Sequence, residues 1–221
     1  LEKENLDLVF GDLEVVDENL NTICESFNKQ MKLDRKIRKY LGSYKLQYLY
    51  NCMTGCTILS KKEYIEKILP ASTKHVSHDY WIGLIVSIHG KVGYVEEKYI
   101  KYRQHSNNQI GTEKKSYKLK KLEQIRDLFI DVKLGIFTAY VQNEYKFPQD
   151  LRKQNKKALE YYKMLKEKNN FNFKGWYIFY KLYRTETFIY FLENFVILNL
   201  PFLAKIIFSI MYKMLKILGK R

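Results

Sequence analysis

The stretch that most constrains the fold is Ser77–Gly90. S-H-D-Y-W opens an apolar run, Ile82–Ile88, that closes at Gly90. An apolar run with a polar start and a glycine stop predicts a helix. Asp79 then sits at the start of that helix, just after the loop that follows Pro70. A carboxylate there has two uses. It caps an unpaired backbone N–H at the helix N-terminus, or it abstracts a proton at the edge of a cleft. Spacing alone leaves both open.

The chain has 221 residues and is 46% hydrophobic and 15% aromatic, ample for a packed core and too apolar for wholesale disorder. Its net charge of +15 is unevenly placed. Residues 1–112 carry 16 Lys/Arg against 14 Asp/Glu, and residues 113–221 carry 23 against 10. A nearly neutral first half is followed by a basic appendage, a pattern that suits an anionic partner such as nucleic acid or a membrane surface. Cys24, Cys52 and Cys56 form no C-x-x-C pair, so buried, reduced thiols are expected. No His/Cys cluster has zinc spacing.

In the first half, Leu6–Phe10 reads as a buried strand ending at Gly11-Asp12. Asp12 is either a ligand group at a strand's carboxyl end or the start of a turn. Asp17-Glu18-Asn19 reads as a second turn, Lys32–Tyr40 as a loop with some helix, and Tyr44–Tyr50 as a short helix. In Asn51–Leu59, Gly55 marks a close backbone passage into a strand over 56–60. Ser60–Leu69 carries a capping-box pattern, Ser60 with Glu63, and predicts a helix stopped by Pro70. A strand over 93–102 leads into the polar patch Arg103–Asn108, where Arg and His suit phosphate or metal-bound phosphate.

Three segments in this order, LVFGDLEVVDENL, NCMTGCTIL and SHDYWIGLIVSIHGKVGYVEEKYIKYRQHSNN, give the first half a family likeness over roughly residues 5–111. It resembles bacterial family-two inverting glycosyltransferases, in particular the rhamnosyltransferase-like members that build surface polysaccharides. The resemblance implies a partial, Rossmann-like nucleotide-diphosphosugar transferase (GT-A type) half-domain over 1–112, and with the helical, amphipathic appendage that the spacing of residues 113–221 predicts, the expected fold class is α/β. It implies that Asp79, in the pair His78-Asp79, is the catalytic base. Thr54-Gly55-Cys56 matches the loop lying against donor sugar and acceptor. Arg103, Gln104 and His105 match the stretch near the diphosphate, with His105 able to help ligate a metal. Trp81 offers a sugar ring an apolar face or packs in the core.

The implied cofactor is Mg²⁺ or Mn²⁺, and the implied partners are a nucleotide-sugar donor and a saccharide or lipid-linked acceptor. The family's nucleotide-binding strand and acidic metal motif have no counterpart here, and Leu1 falls shortly after where they should end. The expectation is a carboxyl-terminal portion, inactive alone; a non-catalytic remnant or split subunit is the alternative.

In the second half, Lys114–Tyr140 is periodic through Leu119, Leu122, Ile125, Leu128, Phe129 and Val132. Gln149–Lys168 predicts another helix, packed through Leu151, Ala158, Leu159, Tyr162 and Leu165. In the tail, about 176–221, the longest uncharged run is Asn194–Ala204, shorter than the ~20 residues of a spanning helix. Beyond Pro201, Lys205, Ser209, Lys213, Lys216 and Lys220 fall on one helical stripe. A wide apolar face with a lysine stripe suits an anionic membrane interface, so the tail reads as a peripheral anchor or basic membrane-binding module. With the resemblance, this implies the cytoplasmic face of the bacterial inner membrane. The other reading is a core helix with solvated lysines. Aromatics and lysines segregate onto separate faces and no nucleic-acid motif appears, so no nucleic-acid partner is expected.

Overall fold

The computed structural model describes residues 4–70, 76–105 and 122–167, together with Tyr177 and Tyr180. The tail stripe, the loop Ser106–Asn108 and residues 114–121 lie outside the described residues. The chain divides into two compact units, residues 1–113 and 114–221.

The first unit is mixed α/β. Its elements in chain order are β1 (Leu8–Gly11), β2 (Glu14–Val16), β3 (Thr22–Cys24), α1 (Phe27–Gln30), α2 (Asp34–Tyr40), α3 (Lys45–Leu49), β4 (Leu59–Ser60), α4 (Ile65–Ile68), α5 (His78–His89), β5 (Val92–Val95) and β6 (Lys101–Arg103). They make two three-stranded sheets, ordered β4-β1-β5 and β3-β2-β6. In the first, β1 is central, parallel to β5 (Leu8 opposite Val92) and antiparallel to β4 (Val9 opposite Leu59). In the second, β2 is parallel to β6 and antiparallel to β3. Leu8 and Phe10 are fully buried, as a central strand requires.

Several expectations are corrected. The single strand expected over 93–102 is two strands in different sheets, because the exposed charged residues Glu96, Glu97 and Lys98 carry the chain from one to the other. Strands β2 and β3 flank the turn at Asp17, whose Oδ1 accepts the N–H groups of Asn19 and Asn21, both at 2.8 Å. The capping box at Ser60 does not form. Ser60 pairs with Leu8 in the sheet and its hydroxyl donates to the Asp7 carbonyl at 3.3 Å, so the helical part is only a 3₁₀ turn, Lys62–Tyr64, and α4. Asp12 is a structural staple. Its Oδ1 accepts from Leu13 N at 2.9 Å and Asn28 N at 3.0 Å, and Oδ2 accepts from the Ser26 hydroxyl. The carboxylate ties the end of β1 to the start of α1.

A second staple holds the first sheet's lower end. Asp7 accepts from Lys91 N at 2.8 Å and from Lys61 Nζ at 3.0 Å. Chiefly the Lys91 N–H, then the Lys61 ammonium, hold its carboxyl below the usual value of 3.8. A depressed folded-state pKa contributes stability that is present above the unfolded value and lost as pH falls through the folded one. Asp7→Asn should therefore lower stability at neutral pH. It should also flatten the fall in denaturant midpoint that the wild type shows below about pH 4. Parallel acid limbs for the two proteins would contradict this.

The second unit contains α6 (Leu122–Gln142) and α7 (Gln149–Lys166), joined by a 3₁₀ turn, Glu144–Lys146, and Pro148. They run antiparallel: Phe137 stacks on Tyr162 with centroids 5.6 Å apart, and Lys166 pairs with Asp131 at 2.7 Å. The packed face of α7 is Leu151, Asn155, Ala158, Tyr161, Tyr162 and Leu165, with Leu159 only half-buried. The expected stripe on α6 is corrected. Leu128 and Val132 are exposed, at 61% and 49%, while Ile130, Phe137 and Tyr140 are buried. The large aromatics facing Tyr162 and Phe147 set the helix rotation.

Candidate functional site

Helix α5 places the candidate site, and its position is fixed from three sides. Trp81 is fully buried and its indole N–H donates to the Ile68 carbonyl at 2.9 Å. The Tyr80 hydroxyl donates to the Tyr48 carbonyl at 3.0 Å. Gln47, fully buried, accepts from Cys52 N at 3.2 Å. Gly83 lets this neighbourhood close: a Cβ there would lie 2.4 Å from Met53 Sδ and 3.2 Å from the Gln47 amide. With α5 held this way, its first turn is set against the loop before β4.

That loop runs through Thr54-Gly55-Cys56, with Gly55–Thr57 forming a 3₁₀ turn. Gly55 is where the two segments meet. A Cβ on it would stand 3.0 Å from His78 Nε2 and 3.5 Å from Asp79 Cβ. Beside this contact opens a pocket of about 370 Å³, lined by Gly55, His78 and Asp79 and walled by Ile58, Ile65, Ile68 and Ile82. Ser60, Lys61 and Lys62 complete the lining.

Ser77 precedes the first turn without a side-chain cap. Asp79 Oδ1 instead accepts from Tyr80 N at 2.7 Å. Among the described residues Oδ2 has no hydrogen-bond partner, and Asp79 is one of the residues that line the pocket. Both uses of the carboxylate are thus compatible in one residue.

No family model, curated protein or solved structure matches the chain. What can be said of the site rests on its own geometry.

Of the residues expected to form it, Gly55, His78 and Asp79 come together. Thr54 and Cys56 belong to the same loop but do not line the pocket. Of the two uses expected for Trp81 the structure shows core packing and corrects the sugar-facing one: sealed in the core and bonded to a backbone carbonyl, it offers no face to a ligand. Arg103, Gln104 and His105 lie at the end of β6, where Gln104 N donates to the Val16 carbonyl at 2.8 Å. They do not line this pocket. Among the described residues no three His, Cys, Asp or Glu side chains converge as a metal centre.

The aliphatic wall was not foreseen. One signal for it is in the sequence, since Ile82 lies three and four residues beyond Asp79 and His78, on their face of the helix. A second, polar pocket of about 250 Å³ is bordered by Asp12, Asn28, Arg38 and Tyr94. Asp12, expected as either a ligand group at a strand's carboxyl end or the start of a turn, is among its lining residues.

The thiols divide by burial. Cys52 is buried and its thiol is pushed up to about 12. Cys56 is exposed, against the expectation of a buried role; partial desolvation, and to a lesser degree the Asp79 carboxylate, raise its thiol. Iodoacetamide should modify Cys56 in the native protein and Cys52 only after unfolding. Asp79→Asn removes the nearby negative charge and should speed Cys56 alkylation at neutral pH. An unchanged rate would separate the two residues electrostatically.

Proposed function

We propose that the chain is the carboxyl-terminal portion of an inverting glycosyltransferase, with a Rossmann-like GT-A half-domain over its first unit. In this reading it transfers a sugar, possible donors including a rhamnose nucleotide, in surface polysaccharide synthesis. The observation that carries the reading is a pocket lined together by Asp79, His78 and the glycine of T-G-C, with Asp79 Oδ2 not engaged in the helix. The acceptor hydroxyl attacks the anomeric carbon, the bond to the diphosphate breaks, and Asp79 takes the hydroxyl proton. His78 and the Gly55 backbone shape the space around that hydroxyl. Arg103 and Gln104, at the end of β6, are proposed for the departing diphosphate.

Of the two acceptor classes, the lipid-linked one is favoured. Four isoleucines give sugar hydroxyls nothing to bond, but they match an isoprenoid or acyl portion. Among the described residues no helix is long and apolar enough to cross a membrane, and peripheral attachment at the cytoplasmic face belongs to the same proposal. The test is a transfer assay on the full-length protein, with a panel of labelled nucleotide-diphosphosugars and polyprenyl-phosphate-linked and free saccharide acceptors. Transfer with inverted anomeric configuration supports the reading. Retained configuration, or donor hydrolysis without dependence on any acceptor, overturns it.

A further inference from the structure

We infer that the first unit carries its own docking surface for an anionic lipid bilayer, built on α2 and the turns at its two ends. This surface is distinct from the tail and goes beyond the transfer reaction proposed above. Arg35, Arg38 and Lys39 stand at i, i+3 and i+4 and are all exposed. Ile37 and Tyr40, on the opposite side, are buried. Lys32 adds a fourth exposed cation in the turn before the helix. Among the described residues no ion pair engages Lys32, Arg35 or Arg38; Lys32 and Arg35 lie outside both pockets, while Arg38 also borders the polar one.

Two apolar side chains flank the cations. Met31, ending α1, is 52% exposed, and Leu41, ending α2, is 43% exposed. Cations bracketed by exposed aliphatic groups match a bilayer interface. There, phosphates meet the charges while the apolar groups leave water for the acyl boundary. Nucleic acid fits less well. Single strands bind through exposed aromatic platforms, but the Tyr50 ring is covered by Lys36 Nζ at 3.7 Å and the Tyr40 ring by Lys39 Nζ at 4.9 Å. A phosphate backbone would also leave Met31 and Leu41 in water.

The test is co-sedimentation of the full chain with vesicles of phosphatidylcholine alone or of equal parts phosphatidylcholine and phosphatidylglycerol. It needs neither donor nor acceptor, so its outcome is independent of the transfer reaction. Each cation near an anionic surface contributes about fivefold in partition, so Arg35→Gln with Arg38→Gln should weaken binding to the mixed vesicles by about thirtyfold. Lys32→Gln with Arg35→Gln, which leaves the polar pocket bordered by Arg38 untouched, should do the same. Lys153→Gln with Lys157→Gln removes equal charge from exposed positions on α7 and should have little effect. Met31→Ser should weaken binding even to neutral vesicles. Equal losses from the α2 and α7 pairs would reduce the effect to net charge and overturn the proposal. So would wild-type partition by both α2 pairs, or loss of RNA binding by those pairs with vesicle binding intact.

Discussion

Asp79→Asn is expected to slow sugar transfer by the full-length protein by about 10²–10⁴-fold, the range a positioned general base contributes. The substitution is nearly isosteric. The Asn side-chain oxygen can still accept the Tyr80 N–H that Asp79 Oδ1 accepts at 2.7 Å, so the first turn of α5 keeps its bond. What is lost, on the proposed mechanism, is the ability to take the acceptor proton. Folding should change little, and acceptor binding should change less than the rate, because the isoleucine wall is untouched. The measurement is the rate at saturating donor and acceptor beside a thermal melt. A rate within a few-fold of wild type, in a folded protein, removes Asp79 as the base.

The second large effect is on stability. Trp81→Ala should cost about 3–5 kcal/mol, the usual range for truncating a buried aromatic. Against a typical total of about 5–15 kcal/mol, that places the variant near unfolding at physiological temperature. Trp81→Phe isolates the polar part of the loss. It keeps most of the packing but leaves the Ile68 carbonyl without its indole donor, a penalty of about 1–3 kcal/mol. Transfer per folded molecule should stay near wild type in the Phe variant, because Trp81 has no exposed surface to give a sugar. A large rate loss with an unchanged denaturant midpoint would return Trp81 to the binding site.

The helix over 78–89 was legible because a polar start, an unbroken apolar run and a glycine stop agree on one element. Gly55 announces a close backbone approach, but the identity of the group that approaches, the first turn of that helix, is not written in the local pattern. Nothing local in Gly55 announces that the His78 imidazole will lie over it. Strands β2 and β3 were not legible, since three residues are too few to show an alternation. Leu128 and Val132 show the limit of periodicity. Their spacing marks a helix correctly, but which face is buried depends on the aromatic side chains of a helix that starts at Gln149. The Asp12 staple was hidden for the same reason: its partners Ser26 and Asn28 lie more than a dozen residues away.

The hand-over of one segment between two sheets has a mechanical outcome. Residues 8–16 and 92–103 run side by side in the same direction through both sheets, with only Asp12-Leu13 spanning the junction on one side and Glu96–Ile100 on the other. Neither sheet can shed its shared pair of strands without pulling on the neighbour. Amide protons along both segments should thus exchange as a single opening unit, while the outer strands β3 and β4 fray on their own.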